Sequence, residues 1–133
     1  MIYFLFKTEP NTYSIDDLEK DIKTIWDGVH NFQAISNIKK IKVGDMIYIY
    51  HSRADKAIVG IARAISLPRE NKADPRKSCI LDIEFVKKAK QKITLAEFKR
   101  EKDMQSFALV KNNRLSVMEI PELVNEWIKK KME

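Results

Sequence analysis

The chain has 133 residues, 44% of them hydrophobic, a net charge of +6 and one cysteine, Cys79. That length supports one core of ordinary domain size, and a lone thiol excludes an intramolecular disulfide and a cysteine-based zinc site. No apolar run approaches the roughly 20 residues of a membrane-spanning helix, so a single soluble domain over 1–133 is expected. Residues 2–7, IYFLFK, have no basic segment before them and no small-residue cleavage site after them. They read as a central strand buried on both faces, not as a signal peptide. Ser14 to Asp17 has capping-box spacing, and Ile15, Leu18 and Ile22 follow at helical intervals, which predicts a helix over about 14–23. The segment WDGVHN (26–31) is then expected to interrupt regular structure. Phe32, Ile35, Ile38 and Ile41 recur every three residues and predict one or two short helical turns.

Residues 45–52 and 56–65 are β-rich and separated by three residues, which predicts an antiparallel hairpin or a near-neighbour pair, with Gly60 marking a bulge or a close backbone approach. A polar loop (67–78) leads to a strand over 79–90 with one wetter face. Thr94 and Glu97 form a second capping box and open a helix to about Lys102, whereas 106–110 is too short to assign. A strand-like stretch over 112–120 precedes a helix begun by Pro121, with Leu123, Val124, Trp127 and Ile128 on one face. Five or six strands with three peripheral helices predict an α+β fold, a small mixed sheet or pseudo-barrel that is mostly antiparallel.

The charge is uneven. Residues 1–37 carry 3 basic and 6 acidic side chains, and 38–133 carry 22 basic and 13 acidic. A basic remainder of this kind fits a polyanion partner and equally fits ordinary solvated lysine faces. A Gly-rich phosphate loop, HExxH, a CxxC pair and GxSxG are all missing, which leaves nucleotide hydrolysis and the common metal or serine chemistries without a motif. His30 and His51 could meet a metal with Asp27 or Asp55, but two histidines 21 positions apart with no third firm ligand are an incomplete set, so neither metal nor cofactor is expected. Alternation buries Cys79 in a strand, where a thiol is inert. An enzymatic alternative makes His51 or His30 a general base oriented by Asp27 or Glu9, with no nucleophile or cofactor loop to accompany it.

Trp26 admits two readings. Most tryptophans are largely buried, and Trp26 could be a core residue beside a turn, as Trp127 is expected to be. Its neighbours Asp27, His30, Asn31 and Gln33 are, however, the mixture of donors and acceptors that reads the hydrogen-bonding edge of a base, and an indole can stack on that base for roughly 1–3 kcal/mol. Tyr50, His51 and Ser52 at a strand end offer a second wall.

FLFKTEPNTYSIDDL (4–18), IWDGVHNFQAISNIKKIKVGDMIYIYHS (25–52), AIVGIARAI (57–65), ADPRK (73–77) and RLSVMEIPELVNEW (114–127) resemble, in order and spacing, the EVE domain family over nearly the whole chain. The resemblance implies a PUA-like pseudo-barrel, similar to YTH readers of methylated adenine and SRA-type readers of modified cytosine. It implies non-catalytic binding of a modified, extruded base in DNA or RNA. It places Trp26 as a stacking wall, with Lys7, Tyr13, Ser14, Asn31, Tyr50, His51 and Ser52 around one cavity. The sequence departs from the family pattern at His30, where Arg is usual, and at Ser36, Lys39 and Lys77; loss of a permanent charge at position 30 changes how a phosphate or base edge is met. A general RNA-binding module that uses lysines without selecting bases is the alternative. The expected partner is DNA or RNA with modified bases, with no membrane, a monomeric state and, from the lone cysteine, an intracellular (cytoplasmic) location.

Overall fold

A computed structural model describes residues 1–132. In chain order it contains β1 (Tyr3–Thr8), α1 (Ile15–Asp21), β2 (Lys23–Val29), α2 (Phe32–Ile38), β3 (Met46–His51), β4 (Ala57–Ala64), β5 (Arg69–Glu70), β6 (Cys79–Thr94), α3 (Leu95–Arg100), a short 3-10 turn (Lys102–Met104), α4 (Ala108–Lys111), β7 (Val117–Glu119) and α5 (Glu122–Met132). Local chemistry sets the helix starts as expected. Ser14 and Thr94 each accept from the backbone N–H three residues on, and Asp17 and Glu97 reach back to the cap, completing both capping boxes.

The strands form one sheet in the order β2-β6-β4-β3-β1-β7, with β5 added to β6. Among the described residues β1 and β3 are parallel and the other pairings are antiparallel. β1 has neighbours on both sides, and Phe4, Leu5 and Phe6 are fully buried, as a doubly covered strand requires. The sheet curls into a half-barrel with helices outside, a PUA-like α+β fold. The curl follows from β6, 16 residues long, whose first part pairs with β2 and whose later part pairs with β4 across two register shifts. Gly60 sits at one of these shifts. A Cβ there would lie 2.5 Å from Ile15 Cδ1 and 2.9 Å from the Lys87 carbonyl oxygen, so only glycine lets α1 and β6 approach β4 this closely.

Two sequence expectations are corrected. Of WDGVHN only His30 and Asn31 interrupt regular structure; residues 26–29 stay in the sheet, where Trp26 pairs with Leu81 and Val29 with Cys79, so three steps on β2 oppose two on β6. The extra residue is a bulge in which Gly28 takes φ 77°, and it turns both Trp26 and Val29 inward where plain alternation would not. The helical turns expected around Phe32 form as α2, and Phe32 itself is 91% exposed because Asn31 caps the helix with Ala34 and Ile38 facing the core. Leu123 is 60% exposed, and the inner face of α5 is formed by Val124, Asn125 and Ile128. There the Tyr48 hydroxyl donates to Asn125 Oδ1 at 2.7 Å, satisfying a buried polar pair.

Candidate functional site

The curl brings opposite ends of the strand order together. Trp26, on the terminal strand β2, lies with its ring centroid 5.3 Å from Phe6 on β1 and 6.2 Å from Tyr13, which meets it edge-on at 83°. Where the barrel fails to close between β2 and the β1–β7 pair, a cleft of about 440 Å³ opens, lined by Lys7, Tyr13, Thr24, Trp26, Asp27 and Ser116 among others. That volume falls within the range of small-molecule sites, about 300–1,000 Å³. Trp26 is 8% exposed, so most of its ring is packed and one part borders the opening. Contacts on two sides hold the indole in one orientation.

The polar groups of the cleft are held by the fold. The Tyr13 hydroxyl donates to Asp21 Oδ2 at 2.8 Å, and burial keeps that phenol above its ordinary value. The Thr8 hydroxyl donates to the Tyr13 carbonyl at 2.8 Å and fixes the loop after β1. Lys7 Nζ donates to the Asn113 carbonyl at 3.1 Å and stands 5.9 Å from the centre of the Tyr50 ring. Burial pushes the Lys7 ammonium down from its usual value.

Of the residues singled out in the sequence, Trp26, Asp27, Lys7 and Tyr13 line this cleft. Tyr50 and Ser52 line a neighbouring cleft of about 490 Å³ that shares Lys7 with the first. Burial pushes the Tyr50 phenol up to about 12, which keeps it protonated. Ser14 is engaged in capping α1, and Asn31 Oδ1 accepts from the Ala34 N–H at 3.0 Å to cap α2. His51 is 5% exposed. Its Nε2 accepts from the Ile15 N–H at 3.1 Å, so Nδ1 carries the proton and donates to Asp55 Oδ2 at 2.8 Å. Both ring nitrogens are therefore committed inside the fold, and neither is free to take a proton from a substrate. His30 Nε2 lies 2.6 Å from Asp74 Oδ2, and because a carboxylate only accepts, the histidine donates. The two histidines thus go to different aspartates.

Thr12, Thr24 and Ser116 line the Trp26 cleft without having been singled out in the sequence. Thr24 could have been found, since it lies two residues before Trp26 on one strand face; Ser116 could not, because only the β1–β7 pairing brings it beside Lys7.

The curled mixed sheet with outer helices defines the PUA-like class of α+β proteins. The chain belongs to the EVE domain family, whose model matches residues 2–131. Thymocyte nuclear protein 1 of Rattus norvegicus is 28% identical over 155 residues, covering 90% of this chain and 69% of the relative. The Homo sapiens protein of that name is 30% identical over 126 residues, covering 73% of this chain and 55% of its own length. Among solved structures, Rpa0253 from Rhodopseudomonas palustris has a TM-score of 0.91 at 32% identity, covering 99% of this chain and 93% of that one. Human THYN1 protein in complex with 5-methylcytosine-containing DNA has a TM-score of 0.88 at 23% identity, covering 100% and 98%. The YTH domain of Zygosaccharomyces rouxii MRB1 in complex with N6-methyladenosine RNA has 0.59 at 17% identity, covering 98% and 83%, a likeness of fold.

Proposed function

We propose that this chain binds nucleic acid without catalysis and seats a modified, extruded base against Trp26 in the 440 Å³ cleft. The observation that carries the reading is an indole locked by Phe6 and Tyr13 at the border of an open slot. Stacking on that ring is worth roughly 1–3 kcal/mol and is tolerant of base identity. Asp27 on the lining supplies what stacking lacks, since a carboxylate accepts from the exocyclic amine of cytosine or adenine. A methyl group added to such a base gains about 0.8 kcal/mol by leaving water, close to a fourfold preference. The contents of the THYN1 and YTH complexes support a modified base as ligand. The engaged nitrogens of His51 support binding without chemistry. Extraction from a duplex costs a few kcal/mol, so single-stranded or weakened sites are favoured. A monomer working inside the cell completes the proposal; the single, buried cysteine supports its intracellular part.

The test is a titration, at fixed salt, of single-stranded oligonucleotides carrying 5-methylcytosine, 5-hydroxymethylcytosine, N6-methyladenine or no modification. Wild type should prefer one modified strand, and Trp26→Leu, which keeps apolar bulk in the core, should lose about 5- to 150-fold in affinity together with the preference. In a Trp127→Phe background the remaining indole should report binding as a change in its fluorescence. Equal weak binding of every strand by both proteins rejects the base seat, and a steep salt dependence under those conditions leaves a general nucleic-acid-binding module in its place.

A further inference from the structure

The second cleft differs from the first in what surrounds it. Lys7, Lys56, Lys99 and Lys111 line its roughly 490 Å³, and no carboxylate does. The four come from distant parts of the chain: β1, the turn between β3 and β4, α3 and the end of α4. Among the described residues none of them makes an ion pair. Three lysines elsewhere do, Lys88 with Asp16, Lys92 with Asp55 and Lys131 with Glu97; what sets the four apart is that the fold gathers them in one cleft that continues from the Trp26 slot. A group of cations gathered by the fold and left without counter-charges is unfavourable in the free protein and is relieved by a polyanion, whose condensed ions are released on contact. Lys7 belongs to both clefts, so a strand leaving the Trp26 slot past Lys7 enters the basic cleft directly.

We propose that the cleft of Lys56, Lys99 and Lys111 holds the phosphodiester backbone of a single strand on one side only of the base seated at Trp26. The proposal rests on the base-binding reading above and adds to it a track with a direction. Another cleft, about 660 Å³ beside β6 and α5, also carries lysines, Lys87, Lys88, Lys90 and Lys129. It shares no residue with the Trp26 slot, and its Lys88 is already bound to Asp16, which makes it an internal control.

The experiment measures Kd against salt for a single-stranded oligonucleotide carrying the base that wild type prefers. It compares wild type with the triple Lys56→Gln, Lys99→Gln, Lys111→Gln and with the control triple Lys87→Gln, Lys90→Gln, Lys129→Gln. The first triple should lower the magnitude of the log–log salt slope by about 2 while preserving the modified-to-unmodified ratio. The control should leave both unchanged, and Lys→Arg at positions 56, 99 and 111 should retain the wild-type slope. Oligonucleotides extended only 5′ or only 3′ of the base should differ, one gaining affinity and the other not, with the gain lost in the first triple. An unchanged slope, an equal loss in the control, or equal gain from both extensions overturns the track. Failure of the base seat looks different: wild type would then show no preference among bases while the first triple still lost slope.

Discussion

Two histidine–aspartate pairs occupy this fold, and they do opposite things. His51 lies at the end of β3, 5% exposed, with Nδ1 on Asp55 and Nε2 accepting from the first turn of α1. His30 follows β2, its side chain 26% exposed, with Nε2 on Asp74 in the loop before β6. Its Nδ1 takes no partner among the described residues. The chemistry of the two pairs is the same, so the role is decided by the nitrogen left over. His51 closes a hydrogen-bond chain from α1 to the β3–β4 turn and belongs to the scaffold; His30 clips a loop to the end of a strand and keeps one polar edge toward solvent.

The comparison breaks most easily at His51. His51→Ala removes the acceptor of a buried backbone N–H and leaves a hole beside Ile15, so unfolding in urea should show a loss of about 3 kcal/mol, a fall in Tm of roughly 10 °C. His51→Gln, which can still accept, should recover part of this. A loss below about 0.5 kcal/mol in His51→Ala would mean the α1 contact carries no weight and would return His51 to the candidate functional groups.

Acid sensitivity separates the pairs more finely. Asp74 is held well below the usual carboxylate range by the Ser78 hydroxyl, then by the Arg76 N–H and His30, although the Ser78 oxygen has no partner within strict hydrogen-bond geometry. Asp55 is lowered by Lys92 first and by His51 next. A carboxyl depressed in the folded state adds stability above its ordinary value of 3.8, and that stability is lost as pH falls through the folded value. Urea midpoints recorded from pH 7 down to about 2.5 should therefore fall below pH 4, and Asp74→Asn should flatten part of that decline. An unaltered acid limb in Asp74→Asn would show that the loop clip adds nothing to the fold.

Much of the architecture was legible because it is written locally. The two capping boxes, the hairpin around residues 53–55, the strand alternation of 79–86 and the special place of Gly60 each follow from neighbours a few residues apart. The bulge at Asp27-Gly28 was not, since a glycine at positive φ serves a turn as well as a bulged strand and only the pairing with β6 decides between them. A three-residue spacing over two helical turns gave α2 but does not encode which side of it is inward, and Phe32 faces out. The site was legible in its parts. Trp26, Tyr13 and Lys7 could be named, but that Ser116 joins them depends on the curl that brings β2 to β1 and β7, and the lysine cleft depends on four segments meeting at one rim. Such assemblies are set by long-range register, which spacing along the chain does not encode.

The smallest effect concerns the position where the family usually has arginine. His30→Arg would place a guanidinium against Asp74, which already accepts from the histidine at 2.6 Å. An arginine there pairs with the carboxylate through its fork, so stability should change by less than about 1 kcal/mol, and with its charge engaged by Asp74 the salt slope of oligonucleotide binding should stay at the wild-type value. Combining His30→Arg with Asp74→Asn releases that charge toward the end of β2, beside the Trp26 slot, and the slope should steepen by about 0.7, one additional phosphate contact on a single strand. If His30→Arg alone steepens the slope, the Asp74 clip yields to nucleic acid and the leftover edge at position 30 belongs to the interface; if the double variant changes nothing, it does not.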